Sequence, residues 1–312
     1  MISIIITSWK EPNTIAKCIR CIADRKYSGL EGSFEILQLS PDKETLDEGL
    51  REANTLSLSN SEYIQIQDPQ KGKPYALKLA LKKAKGDILI FTDGDTYFEK
   101  DAIKYLLEPF EQKDIYGVSG RPISNDRRDS MMGYWGHLLS DSGHHRRSKQ
   151  LEKVYGKGYY KSGKNFFPMS GYIMAIRKIN IEIPDDVLSD DAYISYSIRN
   201  MEKQIGYAPS AKCYVKYPTT ITDYYKQKVR SIGGFIQLKK YGVFKKDKQS
   251  RSLLIELPYA FFVLRYPKNL KELLWSLALF PIRLLTWVRI YWDRVIIKKD
   301  FTKTWVRIES TK

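Results

Sequence analysis

The chain has 312 residues, of which 43% are hydrophobic, so it can build a large core and is not globally disordered. Lys and Arg number 52 against 36 Asp and Glu, a formal net charge of +16 that favours an anionic partner: nucleic acid, an acidic membrane surface or a phosphate-bearing substrate. Three cysteines are too few for a disulfide framework and fit a reducing compartment.

The first 125 residues alternate strand and helix. "SIIITSW" reads as a buried strand and "EPNTIAKCIRCIAD" as a helix, with Ile15, Ile19 and Ile22 on one face. Cys18 and Cys21 make a lone C-x-x-C, which reads as two small helix residues. "FEILQLS", "YIQIQD" and "DILIFTD" are further strands, "DKETLDEGLREA" and "KPYALKLALKKAKG" the helices between them, the second closed by Gly86. "KDAIKYLLEPFEQ" and "IYGVSGRPI" add a helix and a strand. This alternation predicts an α/β fold with a mostly parallel central sheet and helices on both faces. Ligands of such sheets bind outside the carboxyl ends of the strands, where Thr7-Ser8, Asp68 and Asp93-Gly94-Asp95 fall.

Beyond residue 125 the pattern changes. "NDRRDSMMGYWGHLLSDSGHHRRSKQLEKVYG" is polar and basic with a small apolar set, and predicts a helix lying across a surface. His144-His145 within it lacks carboxylate or cysteine support and reads as solvated loop. "FPMSGYIMAIRK" and "AKCYVKYP" have strand character, "DDAYISYSIRNME" is helical, and "DYYKQKVRSIGGFIQLKKYG" is a basic helix weakened at Gly233-Gly234.

The tail, residues 253–297, is rich in Trp, Phe, Leu and Arg. Its longest uncharged run, Leu273 to Ile282, is about half of the ~20 residues a spanning helix needs. Arg283, Arg289, Asp293 and Arg294 follow, each costing roughly 2.5–3.5 kcal/mol at a bilayer centre. The pattern predicts amphipathic helices in the membrane interface rather than a span, with an aromatic helical pair packed on the main domain as the plainer alternative. No secretory signal is visible at the start: "MISIIITSW" lacks a basic leader and is followed by Lys10 and Glu11.

Two carboxylates at the end of a buried strand, Asp93 and Asp95, repel each other. The physical demand is a hard divalent cation, which takes one or two protein carboxylates and bridges phosphates. Alone, D-x-D is weak. Further stretches stand in order around it, "IIITSWKEPNTI", "QLSPDKETLD", "KGKPYALKLAL", "MSGYIMAIRK", "LSDDAYIS" and "QKVRS", and with them the chain resembles an inverting family-2 glycosyltransferase with the GT-A fold over roughly residues 1–240. "IIITSWKEPNTI" is similar to the opening strand and nucleotide-binding loop, with Thr7, Trp9 and Glu11 at the usual positions. Asp42, in "QLSPDKETLD", falls near the aspartate that reads the base, although the surrounding pattern is broken. "KGKPYALKLAL" resembles the family's G-K-x-x-A-L-N stretch and carries Lys73. "FTDGD" is the D-x-D. "MSGYIMAIRK" resembles the acceptor-side strand, with Ser170 and Gly171. "LSDDAYIS" resembles the motif whose second acid is the base, here Asp191. "QKVRS" resembles Q-x-x-R-W, with Gln227 and Arg230 kept and Ser231 replacing Trp.

The resemblance implies a nucleotide-sugar donor, UDP-sugar favoured, and Mn2+ or Mg2+ held by Asp95 with Asp93. Lys73 and Arg230 would contact the diphosphate, guanidinium forks being suited to phosphate. Asp191 would take the acceptor hydroxyl proton, and Asp190 beside it could raise that base's pKa by repulsion. The plainer reading of "SDDA" is a helix start with acids at the positive dipole end. Both can hold. The expected acceptor is a saccharide or lipid-linked hydroxyl, and the expected place is the cytoplasmic face of the cell membrane, peripheral or monotopic. Residues 241–312 are then a basic, aromatic-rich helical tail on an anionic membrane surface.

Rival readings are a processive polysaccharide synthase and a non-enzymatic membrane-binding module. The first needs a transmembrane channel that this tail does not supply, and the second leaves Asp93, Asp95, Asp191 and Arg230 without purpose. "GYYKSGKN" at Gly158–Asn165 nearly fits a phosphate-binding loop but ends in Asn and follows no strand. No nucleic-acid partner is expected: the basic residues stand beside apolar tail segments, and zinc-finger spacing and RNP-like aromatics are missing.

Overall fold

The computed structural model describes residues 1–59, 62–245, 259–297 and 308–311. "LLIELP" of the tail and its last basic run lie outside them. The first half follows the predicted alternation: β1 (Ile2–Thr7), α1 (Pro12–Ala23), the single turn α2 (Arg25–Ser28), β2 (Phe34–Ser40), α3 (Lys43–Thr55), β3 (Tyr63–Gln67), α4 (Lys73–Lys83) and β4 (Ile88–Asp93). β1 and β2 pair in parallel, as do β2 and β3, and β4 pairs in parallel with the other side of β1. The chain therefore crosses one way from β1 to β3 and then returns past β1 to β4. The point where the direction reverses opens a crevice at the carboxyl ends of β1 and β4. Thr7 and Asp93 are register partners there.

Period-two alternation divides β1 between two cores. Ile4 and Ile6 pack with Ile15, Cys18, Ile19 and Ile22 of α1. Ile5 packs on the opposite face with Ala76, Leu77 and Ala80 of α4. The C-x-x-C cysteines stand on α1 as helix residues, and buried Cys18 donates Sγ–H to the Asp93 carbonyl at 3.5 Å. α4 is capped at Ala84. Gly86, expected to close it, instead lies where a Cβ would meet the Ser3 backbone at 2.5 Å.

The second half widens the sheet. It contributes β5 (Tyr97–Phe98), α5 (Ala102–Leu107), β6 (Ile115–Ser124), α6 (Met131–Gln150), β7 (Glu152–Lys153), β8 (Tyr160–Lys161), β9 (Met174–Arg177), α7 (Asp190–Asn200), β10 (Gln204–Val215) and α8 (Ile221–Gln237). The strand order is β3-β2-β1-β4-β9-β6-β10-β8-β7, with β5 on β10. β9 is antiparallel to both neighbours, while β6 and β10 run parallel. The core of the sheet is thus mostly parallel and its far edge antiparallel. The near-match to a phosphate loop falls on that edge, with β8 inside it, so it has no strand–loop–helix geometry.

Two helix expectations change. α8 runs unbroken through Gly233-Gly234, and Gly234 is a contact point: a Cβ there would collide with Ser189 Oγ. α8 thereby lies close against the start of α7. α6 is a full 20-residue helix, and His144 sits half-buried on it, accepting from or donating to Tyr207 OH at 2.8 Å rather than standing in a solvated loop. Burial first, with the positive charge of Arg121 next, pushes the His144 imidazole down to about 4.

The tail covers α6. α9 (Ala260–Arg265) and α10 (Leu270–Val295) pack Leu279, Trp275, Phe262 and Val263 against Tyr134, Trp135 and Leu138. α10 continues through Pro281 as one helix and carries Arg283, Arg289 and Asp293 within it. An 18-residue window within Leu270–Asp293 has a mean hydropathy of 1.5, and by length and composition this stretch could cross a membrane. Yet Glu272, Ser276, Thr286 and Asp293 are buried against the body, while Lys271 and Arg289 stay exposed. Arg128 grips Glu272 with Nε and Nη2 at 2.8 and 2.9 Å, and buried Ser276 bonds Tyr134 OH at 2.6 Å. Farther along, Ile290 packs on Ile232 of α8. Contacts from Glu272 to Ile290 cover ~27 Å of helix at 1.5 Å per residue. The helix lies along the body while Leu270, Leu274, Leu277, Leu284, Leu285 and Val288 face outward.

Candidate active site

β4 ends on Asp93, and the chain turns at Gly94. A Cβ there would stand 2.6 Å from Glu11 Oε2 and 2.8 Å from Ser8 Cβ, so only glycine lets this turn press on the β1–α1 loop. Thr7 Oγ1 donates to Asp93 Oδ1 at 3.0 Å, and Lys73 Nζ donates to the same oxygen at 2.6 Å. Lys73 opens α4, where Pro74 follows it. Its ammonium is also 3.9 Å from Asp190 Oδ2. Burial pulls the Lys73 pKa down, but the charges of Asp93, Asp190 and Asp191 outweigh it and raise the pKa above the usual lysine range.

Asp190 and Asp191 form the first turn of α7, as the dipole argument expects. Asp191 Oδ2 accepts from Gly171 N at 3.1 Å, and Oδ1 from Ala192 N at 2.7 Å. Gly171 stands in a turn ahead of β9, so the "acceptor-side strand" of the sequence reading starts three residues later. Asp190 is pushed up to about 6, chiefly by burial, with Lys73 opposing and the charges of Asp191 and Asp93 adding.

Lys73, Asp93, Asp190, Asp191, Gln227 and Arg230 line one cavity of about 740 Å³. Thr7 reaches it through Asp93. Trp9, Glu11, Asp42 and Asp95 are not in its lining. Asp95 sits across the Gly94 turn, where its charge acts on Cys18, Tyr97 and Cys213. Asp42 caps α3, accepting from Thr45 N at 3.0 Å, and ties down the β1–α1 loop through Lys10 N at 2.7 Å. Burial raises the Asp42 pKa, but these bonds and those from the Thr45 and Ser40 side chains hold it below the usual value. Asp42 therefore shapes the loop that bears Trp9 and Glu11.

The cavity also shows cations that sequence reading did not single out. Arg146 and Arg147 of α6 and Arg283 of α10 join Lys228, Lys73 and Arg230 in its lining: six cationic side chains against three carboxylates. The net sign suits a multiply charged anion. Arg146 and Arg147 are half-buried on α6, packed on Phe167, with Tyr259 beside Arg146 and Tyr207 beside Arg147.

The D-x-D offers two carboxylates, of which Asp93 Oδ1 already accepts from Thr7 and Lys73. A divalent metal needs only one or two protein carboxylates when phosphate oxygens and water complete its shell. Among the described residues no three His, Cys, Asp or Glu gather to cage one entirely in protein.

The fold has close parallels. A mannosyltransferase from Pyrobaculum calidifontis, solved with GDP-Man and Mn2+, superposes with a TM-score of 0.62 at 17% identity, over 96% of this chain and 88% of that one. TarS of S. aureus gives a TM-score of 0.50 at 14% identity, over 94% and 55%. In sequence, the poly-beta-1,6-N-acetyl-D-glucosamine synthase of Staphylococcus aureus (strain COL) is 24% identical over 177 residues, 54% of this chain. The chain covers only 39% of that relative's length. Residues 1–234 match the family described as glycosyltransferase like family 2. With three-quarters of its length inside that match, the chain belongs to the family-2 glycosyltransferases.

Proposed function

We propose that the protein transfers a single sugar, with inversion, from a nucleotide-diphosphate sugar to a hydroxyl of a lipid-linked or saccharide acceptor at a membrane surface. The observation that carries this reading is the cavity in which Lys73 and Asp93, at the crevice between β1 and β4, meet Asp190 and Asp191 at the start of α7.

In the proposed step Asp191 accepts the acceptor's hydroxyl proton. The acceptor oxygen forms a bond to the sugar's anomeric carbon as the bond to the diphosphate oxygen breaks, and the electron pair leaves with the nucleoside diphosphate. One displacement inverts the centre. The Gly171 N–H holds Asp191 in place, and Lys73 and Arg230 face the leaving group's growing charge. Asp95 and Asp93 would hold the Mn2+ or Mg2+, which when bound neutralises that charge. Thr7, Trp9, Glu11 and Asp42 form the loop proposed for the nucleotide, and Gln227 would assist Arg230. The Pyrobaculum neighbour's GDP-Man and Mn2+ support donor and metal class; UDP remains the favoured nucleotide.

The membrane part of the proposal rests on α10, which buries Glu272, Ser276, Thr286 and Asp293 against the protein and leaves Leu270, Leu274, Leu277, Leu284, Leu285 and Val288 exposed on its outer side. Its contacts with α6 and α8 run along its length, which suits a helix lying in the interface plane of the cytoplasmic leaflet. The test is a donor screen reading nucleoside diphosphate release with manganese or magnesium, on wild type and Asp191→Asn. Wild type should turn over one donor, and the variant should bind nucleotide equally yet lose transfer 10²- to 10⁴-fold. Normal transfer by the variant to a hydroxyl acceptor would remove Asp191 from the mechanism.

A further inference from the structure

The cavity's far wall is built differently from its floor. Phe167 packs on two guanidinium groups, with Arg146 at 5.1 Å and Arg147 at 4.7 Å from its ring centroid. Arg146 also stacks on Tyr259 at 4.6 Å, so aromatic faces fix the direction of both forks. Arg147 Nε is screened from solvent and has no hydrogen-bond partner among the described residues, and burial pulls its pKa down despite the charge of Asp191. A cation held this way is stabilised by an anion in the cavity. Above these arginines the wall becomes apolar: Val263, Leu279, Phe280 and Trp287. Leu284 belongs to two surfaces at once. It lines the cavity, and it is 56% exposed on the outer apolar face of α10. The cavity thus opens onto the face that the reading above lays on the membrane.

Resting on that reading, the geometry points to an acceptor-side subsite for the phosphate head of a lipid carrier, held by Arg147 and Arg283, with the lipid chain leaving past Leu284 into the bilayer. The carrier's sugar then extends toward Asp191. A water-soluble saccharide would have no use for the apolar exit, and an uncharged lipid none for the arginines.

The test is calorimetric binding by the full chain in detergent, using farnesyl phosphate, farnesol and inorganic phosphate. Wild type should bind farnesyl phosphate at least tenfold more tightly than either of the others. Arg147→Gln and Arg283→Gln should each weaken farnesyl phosphate about tenfold or more, and Arg283→Lys should weaken it less, since it keeps the charge and loses the fork. Equal affinity for farnesol, or for inorganic phosphate, overturns the subsite. So does unchanged affinity in the Gln variants. A matching loss of UDP affinity in those variants would place the arginines at the donor and also overturn it. Binding needs no turnover, so failure of the donor screen is read separately from failure here.

Discussion

Lys73 Nζ lies 2.6 Å from Asp93 Oδ1, joining the first turn of α4 to the last residue of β4. Two opposed effects act on that ammonium, and the carboxylates win over burial. Lys73 therefore carries its charge throughout the physiological range. Lys73→Met should lower kcat/KM by roughly 10²- to 10³-fold, the scale for losing one preorganised electrostatic contact. Steady-state kinetics would check it, and a change below threefold would contradict the role.

Asp190 gives a pH signature. Its folded pKa, pushed up to about 6, exceeds the unfolded value of 3.8. Between those values the folded state binds the extra proton, so this group makes stability fall as pH rises through the window. Above about pH 6 the ionised carboxylate stands beside Asp191 and Asp93. Asp190→Asn should thus raise the melting temperature relative to wild type more at pH 8 than at pH 5. A difference that shrinks with rising pH would refute this assignment.

Gly94 allows no side chain. The Cβ of Gly94→Ala would lie 2.6 Å from Oε2 of buried Glu11 and 2.8 Å from Cβ of buried Ser8, both in the β1–α1 loop. The turn must shift, and Asp93 and Asp95 with it. The expected result is a kcat loss of about 10²-fold, since a misplacement near 1 Å costs that much, with a melting temperature lowered by only a few degrees.

Asp95→Asn should abolish metal-dependent turnover on the proposed mechanism while leaving the fold intact, because Asp95 lies outside both hydrophobic cores. Titrating manganese into donor-hydrolysis assays of both proteins distinguishes loss of metal affinity from loss of folding.

The Arg128–Glu272 clasp fixes α10 to the catalytic body. The bond with Arg128 holds the Glu272 carboxyl down at about 2. Arg128 also reaches Tyr266 OH at 2.8 Å, and Tyr266 donates to Asp141 at 2.7 Å. Glu272→Gln should cost about 1.5–3 kcal/mol, the scale of a charge-assisted bond, and increase proteolysis of the tail. An unchanged cleavage pattern would show that apolar packing alone holds the helix.

The strands and helices of the first half were legible because each is local: period two for strands, 3.6 for helices, Pro and Gly between them. The carboxylates Asp93, Asp190 and Asp191 were legible because they stand at the ends of such elements, Asp93 closing β4 and the other two opening α7. What escaped depends on distant partners. α6 looked like a surface helix since the segment that buries Trp135, through Trp135 Nε1 to the Trp275 carbonyl, stands 140 residues away. The strands β5, β7 and β8 have only two residues each and no period to detect. Gly233-Gly234 looked like weakness because intrinsic propensity ignores the neighbour that needs the space.

Leu284, shared between the cavity and the outer face of α10, has a kinetic consequence on the proposed function. An enzyme filled from its lipid side senses acceptor per area of membrane and not per volume of solution. Adding inert lipid at fixed acceptor and protein would then slow it, although nothing in the bulk solution had been diluted.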